Sequence, residues 1–178
     1  MNTQGWKRVS LPLTPETVRT LAAGDRVLLT GELLTGRDAA HKNLVDLLRA
    51  GKPLPVDLRN QTIYYVGPCP ASKGYAVGSA GPTTSARVDP LTPELLEAGL
   101  RGMVGKGNRS PAVIDAMKKY GAVYFAAVGG AGALLAARIE KSEVLAFPEL
   151  GTEAVHRFTV RGFPVLVAID CQGNTIYG

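Results

Sequence analysis

Two short stretches carry side chains able to do chemistry: Gly81-Pro82-Thr83-Thr84-Ser85-Ala86-Arg87 and, downstream, Gly105-Lys106-Gly107-Asn108-Arg109. Both read as tight, glycine-bounded turns at the ends of apolar strands, where backbone and short polar side chains can meet a small anion. The first sets hydroxyls close to a guanidinium, and the second sets an ammonium between two glycines. Arg37 follows Thr35-Gly36 at the start of a helix, where a cation opposes the helix dipole. A cation placed against local preference points to use, and it adds to the exposed amides of that helix end in attracting an anion.

Each residue also has a plain structural alternative. Arg37 and Arg87 can be surface arginines, Lys106 a turn lysine, and Thr83 or Thr84 the cap of a following helix. His41, one turn along from Arg37, can orient it, touch a ligand, or be a hydrogen-bonded structural histidine. Taken together, three cations near strand ends suit a dicarboxylate, which needs two charged clamps. Each hydrogen bond to a charged group is worth about 1.5–3 kcal/mol, enough to orient a small molecule.

The elements that must position these residues follow from periodicity and punctuation. Arg8 to Leu13 alternates apolar and polar, and Thr14-Pro15-Glu16 starts a helix running to about Ala23. Arg26 to Leu34 is strand-like, with a bulge or bend expected at Gly31. A helix is expected from Arg37 to Ala50, with Ala40, Leu44, Leu47 and Leu48 on one face and Gly51 as its stop. Ile63 to Val66 and Tyr75 to Val77 read as strands, the second leading into the Gly81 motif. A helix begins at Thr92-Pro93-Glu94, a short strand holds Met103-Val104, and Ser110-Pro111 caps a helix through Tyr120. Val123 to Val128 is an apolar strand and Ala131 to Ile139 a helix; strands are expected at Val144 to Phe147, Val155 to Val160 and Val165 to Ile169. Alternating strands and helices in the middle, with paired strands at both ends, predict an α/β (mixed α+β) fold: one mixed sheet covered by helices.

Composition narrows the classes. The 178 residues are 46% hydrophobic and 20% charged, enough for a substantial core in one domain over residues 1–178 without disulfides. The net charge of +5 comes from 20 basic residues interleaved with 15 acidic ones, with no basic block or aromatic series, so nucleic acid is not the expected partner. A modest positive balance suits an anionic small substrate or an acidic partner subunit. Cys69 and Cys171 form no C-x-x-C pair and read as free buried thiols, with no metal site expected on this chain. The start of the chain lacks the pattern of a signal peptide. The longest uncharged stretch, Ala122 to Ala137, is broken by Gly129, Gly130 and Gly132 and falls short of the roughly 20 residues of a membrane span, so a soluble cytoplasmic protein is expected.

Two nucleotide-binding motifs fail. A P-loop ending at Gly105-Lys106 needs Gly at Leu100 and Ser or Thr at Gly107. Gly130-Ala131-Gly132 has Leu135 at the third glycine of the dinucleotide fingerprint and reads as a closely packed helix start.

Over nearly its full length the chain resembles the beta subunit, or C-terminal domain, of the class I iron-sulfur fumarate hydratases and L-tartrate dehydratases. The similarity rests on Leu34 to Lys42, on Gly81-Pro82-Thr83-Thr84 with Arg87, on Gly105 to Ser110, and on Pro148-Glu149-Leu150-Gly151. It implies a swivelling β/β/α domain that closes over a [4Fe-4S] cluster held by three cysteines of a separate alpha subunit, none being bound by this chain alone. It implies Thr83 as the base that removes the substrate proton, and Arg37, Arg87 and Lys106 as ligands of the carboxylates. His41, Thr84 and Asn108 stand as supporting residues, Thr84 as the cap. The hydroxyl leaves toward the cluster iron acting as Lewis acid, with an acid supplied by the alpha partner. Asn108-Arg109 and Phe163-Pro164 make the chain more similar to the fumarases, so the expected activity is a hydro-lyase interconverting fumarate and L-malate. The alternatives are an L-tartrate dehydratase beta subunit and a non-catalytic dicarboxylate-binding or regulatory module. Homodimerisation is left open.

Overall fold

The computed structural model describes residues 2–127 and 131–178. In chain order the elements are β1 (Lys7–Ser10), α1 (Pro15–Arg19), β2 (Arg26–Thr35), α2 (Asp38–Arg49), β3 (Thr62–Tyr64), α3 (Thr92–Glu97) and β4 (Gly102–Gly105). They continue as α4 (Pro111–Tyr120), β5 (Val123–Ala126), α5 (Gly132–Ala136), β6 (Ile139–Ala146) and β7 (Val155–Ile169), with 3-10 turns at Ser85–Val88 and Pro148–Glu153. The seven strands of the described residues form one mixed sheet in the order β1-β2-β3-β4-β5-β7-β6, and β7 also pairs with β2, so the sheet closes on itself like a barrel.

The strands β2, β3, β4 and β5 run parallel, in register Leu34↔Ile63, Ile63↔Met103 and Met103↔Tyr124. Parallel neighbours need crossovers, and α2, α3 and α4 lie between them in the chain. Side chains alternate along each strand, which divides the interior into two layers. Val27, Leu29, Leu33, Tyr64, Val104 and Phe125 face the layer shared with Phe158 and Phe163 of β7. Leu34, Ile63, Tyr65, Met103 and Tyr124 meet Leu44 of α2, Leu95 of α3 and Met117 of α4. The arrangement brings the carboxyl ends of β2, β3 and β4 to one edge, and each is followed by one of the loops singled out above.

Several boundaries differ from expectation. The bend at Gly31 is present: φ is 133° there, the β2–β7 register shifts, and a Cβ would meet the Leu11 carbonyl at 2.7 Å. The first helix stops at Arg19, short of Ala23, because the Ala22 and Ala23 amides donate to the carboxylates of Asp25 (2.8 Å) and Asp170 (3.1 Å). Tyr75 to Val77 is not a strand. The backbone there closes a loop on itself, with Cys69 N donating to Ser79 O and Gly78 N to Cys69 O, both at 2.9 Å. The fifth helix is shorter than expected, since Ile139 already belongs to β6. The two final strands are one, β7, which passes Gly162 (φ 60°) and Pro164 while its partners change from β6 to β5, with β2 alongside. Val128 and Gly130 lie outside the described residues.

Candidate active site

Thr83 is held by β3. Its amide (2.8 Å) and its hydroxyl (3.0 Å) both donate to the carbonyl of Tyr65, the first residue beyond that strand. Lys106, the first residue beyond β4, donates its amide to Thr83 O (3.3 Å) and accepts from Ser85 N (3.0 Å). Thr84 and Lys106 thus pair as a short parallel bridge, and the hydroxyl loop is inserted as an extra rung between the ends of β3 and β4. Gly105 permits this: a Cβ there would collide with Ser85 Oγ and lie 2.7 Å from the Tyr65 ring. The Thr84 cap expectation is corrected: the element that follows is a 3-10 turn, Thr84 makes no side-chain cap bond, and its side chain is exposed.

Arg37 enters from β2 as the extended N-cap residue of α2, without a capping side chain. Its guanidinium lies across Gly67, where a Cβ would sit 3.0 Å from its Nη1, and Gly67 is two residues past the Tyr65 anchor. Its only ion-pair contact among the described residues is Glu153, at 3.9 Å, and its Nε is buried without a hydrogen-bond partner. Arg87, on the turn after Thr83, pairs with Asp38 of α2 at 2.9 Å, and so stands beside Arg37. Lys106 is exposed and has no ion-pair partner among the described residues.

His41 is fully buried. Its Nδ1 donates to the Arg37 carbonyl (2.8 Å), which makes it a holder of the Arg37 backbone and keeps it away from any ligand. Burial holds its pKa down to about 4, with the nearby Arg109 charge acting in the same direction, and its Nε2 has no partner. Its ring meets the edge of Tyr65 at 5.3 Å, so the supports of Arg37 and of Thr83 touch.

Asn108 is exposed and its carbonyl oxygen accepts from the amide of Arg109 (2.8 Å). Arg109 points inward. It is 4% exposed, its Nε lies 2.7 Å from Asp89 Oδ1, and its guanidinium sits under the rings of Tyr65 (5.2 Å) and Tyr124 (4.8 Å). Asp89 also accepts from Ser110 N, which ties the end of the Thr83 turn to the start of α4. Motif reading left Tyr124, Glu153, Asp38 and the Tyr65 carbonyl unnoticed. Tyr124 stands in an apolar strand, and its only signal is a phenol that needs a partner when buried.

Thr83, Lys106, Arg37 and Arg87 therefore share the carboxyl edge of the parallel strands. A concavity of about 440 Å³ between Glu32, Glu143 and Arg157 is lined by other residues. The cationic edge is an open face. It can hold carboxylates and present the lone pairs of the Thr83 oxygen, whose proton is engaged by Tyr65. No acid or imidazole among the described residues is hydrogen-bonded to that oxygen, and an unassisted hydroxyl is a weak base.

Neither thiol is buried as expected: Cys69 lies exposed in the loop after β3, and Cys171 is half-buried against α1 with its thiol toward Val18 O. Among the described residues no three His, Cys, Asp or Glu side chains gather as ligands, and no helix is long and apolar enough to cross a membrane.

The class of protein is thus a mixed α/β domain with cations gathered at the carboxyl ends of its parallel strands. The family model of the fumarase C-terminus matches residues 2–178, and the chain belongs to that family. It is 43% identical over 157 residues to fumarate hydratase 2 of Leishmania major, and 43% identical over 155 residues to the anaerobic class I fumarate hydratase of Escherichia coli. These alignments cover 86% and 85% of this chain but 28% of each relative, so the chain spans less than a third of those proteins. With the putative L(+)-tartrate dehydratase subunit beta of Methanocaldococcus jannaschii it is 38% identical over 171 residues, covering 93% of this chain and 88% of the relative.

Proposed function

We propose that residues 1–178 form the beta subunit of a cytoplasmic, heteromeric hydro-lyase that interconverts fumarate and L-malate. The observation that carries the reading is the rung made by Thr83, Thr84 and Lys106 at the strand ends, beside Arg37 and Arg87. Lys106 and Arg37 hold the substrate carboxylates, and Arg87 completes the clamp when a substrate carboxylate replaces Asp38 as its partner. Thr83 takes the proton from the carbon next to the one bearing the hydroxyl, and the adjacent cations stabilise the negative charge that develops on the neighbouring carboxylate.

The thiols of this chain do not fit a [4Fe-4S] cluster, since Cys69 and Cys171 lie in separate places, so its ligands belong to a cluster-bearing alpha subunit. Departure of the hydroxyl is assigned to that partner, over which this domain closes. A half-site of this kind has reason to be an open face.

A tartrate dehydratase reading is favoured by one fact, the near-complete length match to a relative named as a separate beta subunit. Anaerobic co-expression with a cluster-bearing alpha subunit, followed by assay of fumarate hydration against tartrate dehydration, decides the matter. Fumarate hydration is expected. Tartrate turnover alone overturns the substrate, and an intact cluster-bearing complex with neither activity overturns the enzyme reading in favour of a binding module.

A further inference from the structure

We propose that Tyr124 is a positioning residue whose hydroxyl fixes the separation between the Thr83 loop and the Lys106 loop; this rests on the function proposed above. The Tyr124 oxygen lies 2.7 Å from Ser85 Oγ and 2.7 Å from the carbonyl of Gly107. A carbonyl only accepts, so the phenol proton goes to Gly107, and the Ser85 proton must go to the phenol oxygen. The result is a directed chain from Ser85 to Tyr124 to Gly107.

Its two ends flank the reacting groups: Ser85 is two residues past Thr83, and Gly107 is the neighbour of Lys106. The chain is held from below through Ser85 and Tyr124, both buried. Tyr124 is fully buried in β5, a strand that contributes no residue to the cationic edge, and Arg109 packs against its ring. Burial pushes the Tyr124 phenol upward from its ordinary pKa, so it stays a donor at every working pH. The main-chain bonds between the loops are two, Ser85 N to Lys106 O and the longer Lys106 N to Thr83 O at 3.3 Å. Without the phenol, the loops keep only these, and the buried Ser85 hydroxyl loses its acceptor.

The test uses the complex with the cluster-bearing partner. The variants Tyr124→Phe, Ser85→Ala and the pair are compared for kcat, KM and amide hydrogen exchange at residues 83–85 and 106–107. The expected result is a fall in kcat of about 10- to 100-fold for Tyr124→Phe, as a misplaced group produces. KM stays within about threefold, because the cations remain. The pair does no more harm than Tyr124→Phe alone, since the two residues act as one chain. Exchange at Ser85 and Lys106 becomes faster in both single variants.

Unchanged exchange protection overturns the proposal whatever the turnover, and so does an unchanged kcat per folded molecule with only a lower melting temperature. Should Tyr124→Phe fail to fold, Ser85→Ala decides by the same readouts. Failure of the underlying function looks different: the unmodified complex then lacks hydro-lyase activity, or Thr83→Val runs at the unmodified rate.

Discussion

The carboxyl edge of the parallel strands and the antiparallel arm of β6 and β7 both carry cations, and the two arginines of the arm, unlike Lys106 and Arg37 at the edge, are closely ion-paired. In the arm, Arg157 pairs with Glu143 at 2.7 Å and reaches Glu32 at 3.5 Å, while Arg161 pairs with Glu140 at 2.8 Å. At the parallel edge Arg87 pairs with Asp38 at 2.9 Å, but Lys106 has no ion pair among the described residues and Arg37 has only a 3.9 Å contact. Beneath that edge, Arg37 Nε, His41 Nε2 and Tyr65 Oη are buried without partners. Unpaired buried polar groups cost stability, and three of the five among the described residues gather under this edge, the others being Trp6 Nε1 and Thr62 Oγ1, which suits an edge arranged for something besides stability. The arm shows what the same chain does with charge when only solubility and packing are at stake.

That contrast can be broken or sharpened by substitution. The largest effect is expected at Arg109, where Arg109→Met strands the Asp89 carboxylate in the interior and should lower unfolding free energy by about 3–5 kcal/mol, read by urea titration. A smaller one concerns pH. With His41 at about 4 in the folded chain and 6.5 unfolded, the unfolded chain binds the extra proton between those values. Stability therefore rises with pH across that window, is complete above about 6.5, and is lost as pH falls through it. The difference is worth about 3 kcal/mol at 1.36 kcal/mol for each tenfold step. Urea titrations at pH 7 and pH 4.5 should show this slope, and His41→Gln should flatten it.

Lys106→Met should leave the melting temperature in place while kcat/KM of the complex falls about 10- to 100-fold, the loss of one charge-assisted bond. Arg157→Met is expected to do least, at about 0–1 kcal/mol in stability with turnover unchanged. A reversed order for these last two would erase the distinction between edge and arm.

Much of the edge was legible in the sequence because each motif follows an apolar run. Thr35-Gly36-Arg37 and Gly105-Lys106-Gly107 are strand ends punctuated by glycine, and parallel strands with helical crossovers must end at a common edge. The caps at Thr14 and Ser110 were legible for the same local reason, a hydroxyl placed before Pro. What the sequence hid depends on partners far away. Tyr75 to Val77 has strand-forming residues, but Tyr75 N donates to Ser72 O and the following Gly78 and Ser79 are bonded to Cys69, which holds the segment as a loop. The Gly162 and Pro164 pair looks like a break between two strands, yet β7 runs through it because successive partners take up its length. Closure of the sheet by β2 and β7 leaves no local mark at all. Arg109, three residues beyond Lys106, faces the other way, toward a carboxylate that no spacing rule connects to it.

The central claim is that the open edge acts on substrate through the Thr83 oxygen. The direct test is Thr83→Val in the complex reconstituted with the proposed cluster-bearing partner, with turnover and dicarboxylate binding measured on the same sample. The account predicts turnover lower by about 10³-fold or more, the scale of a lost general base, with assembly and binding retained. Turnover within a few-fold of the unmodified complex would contradict it.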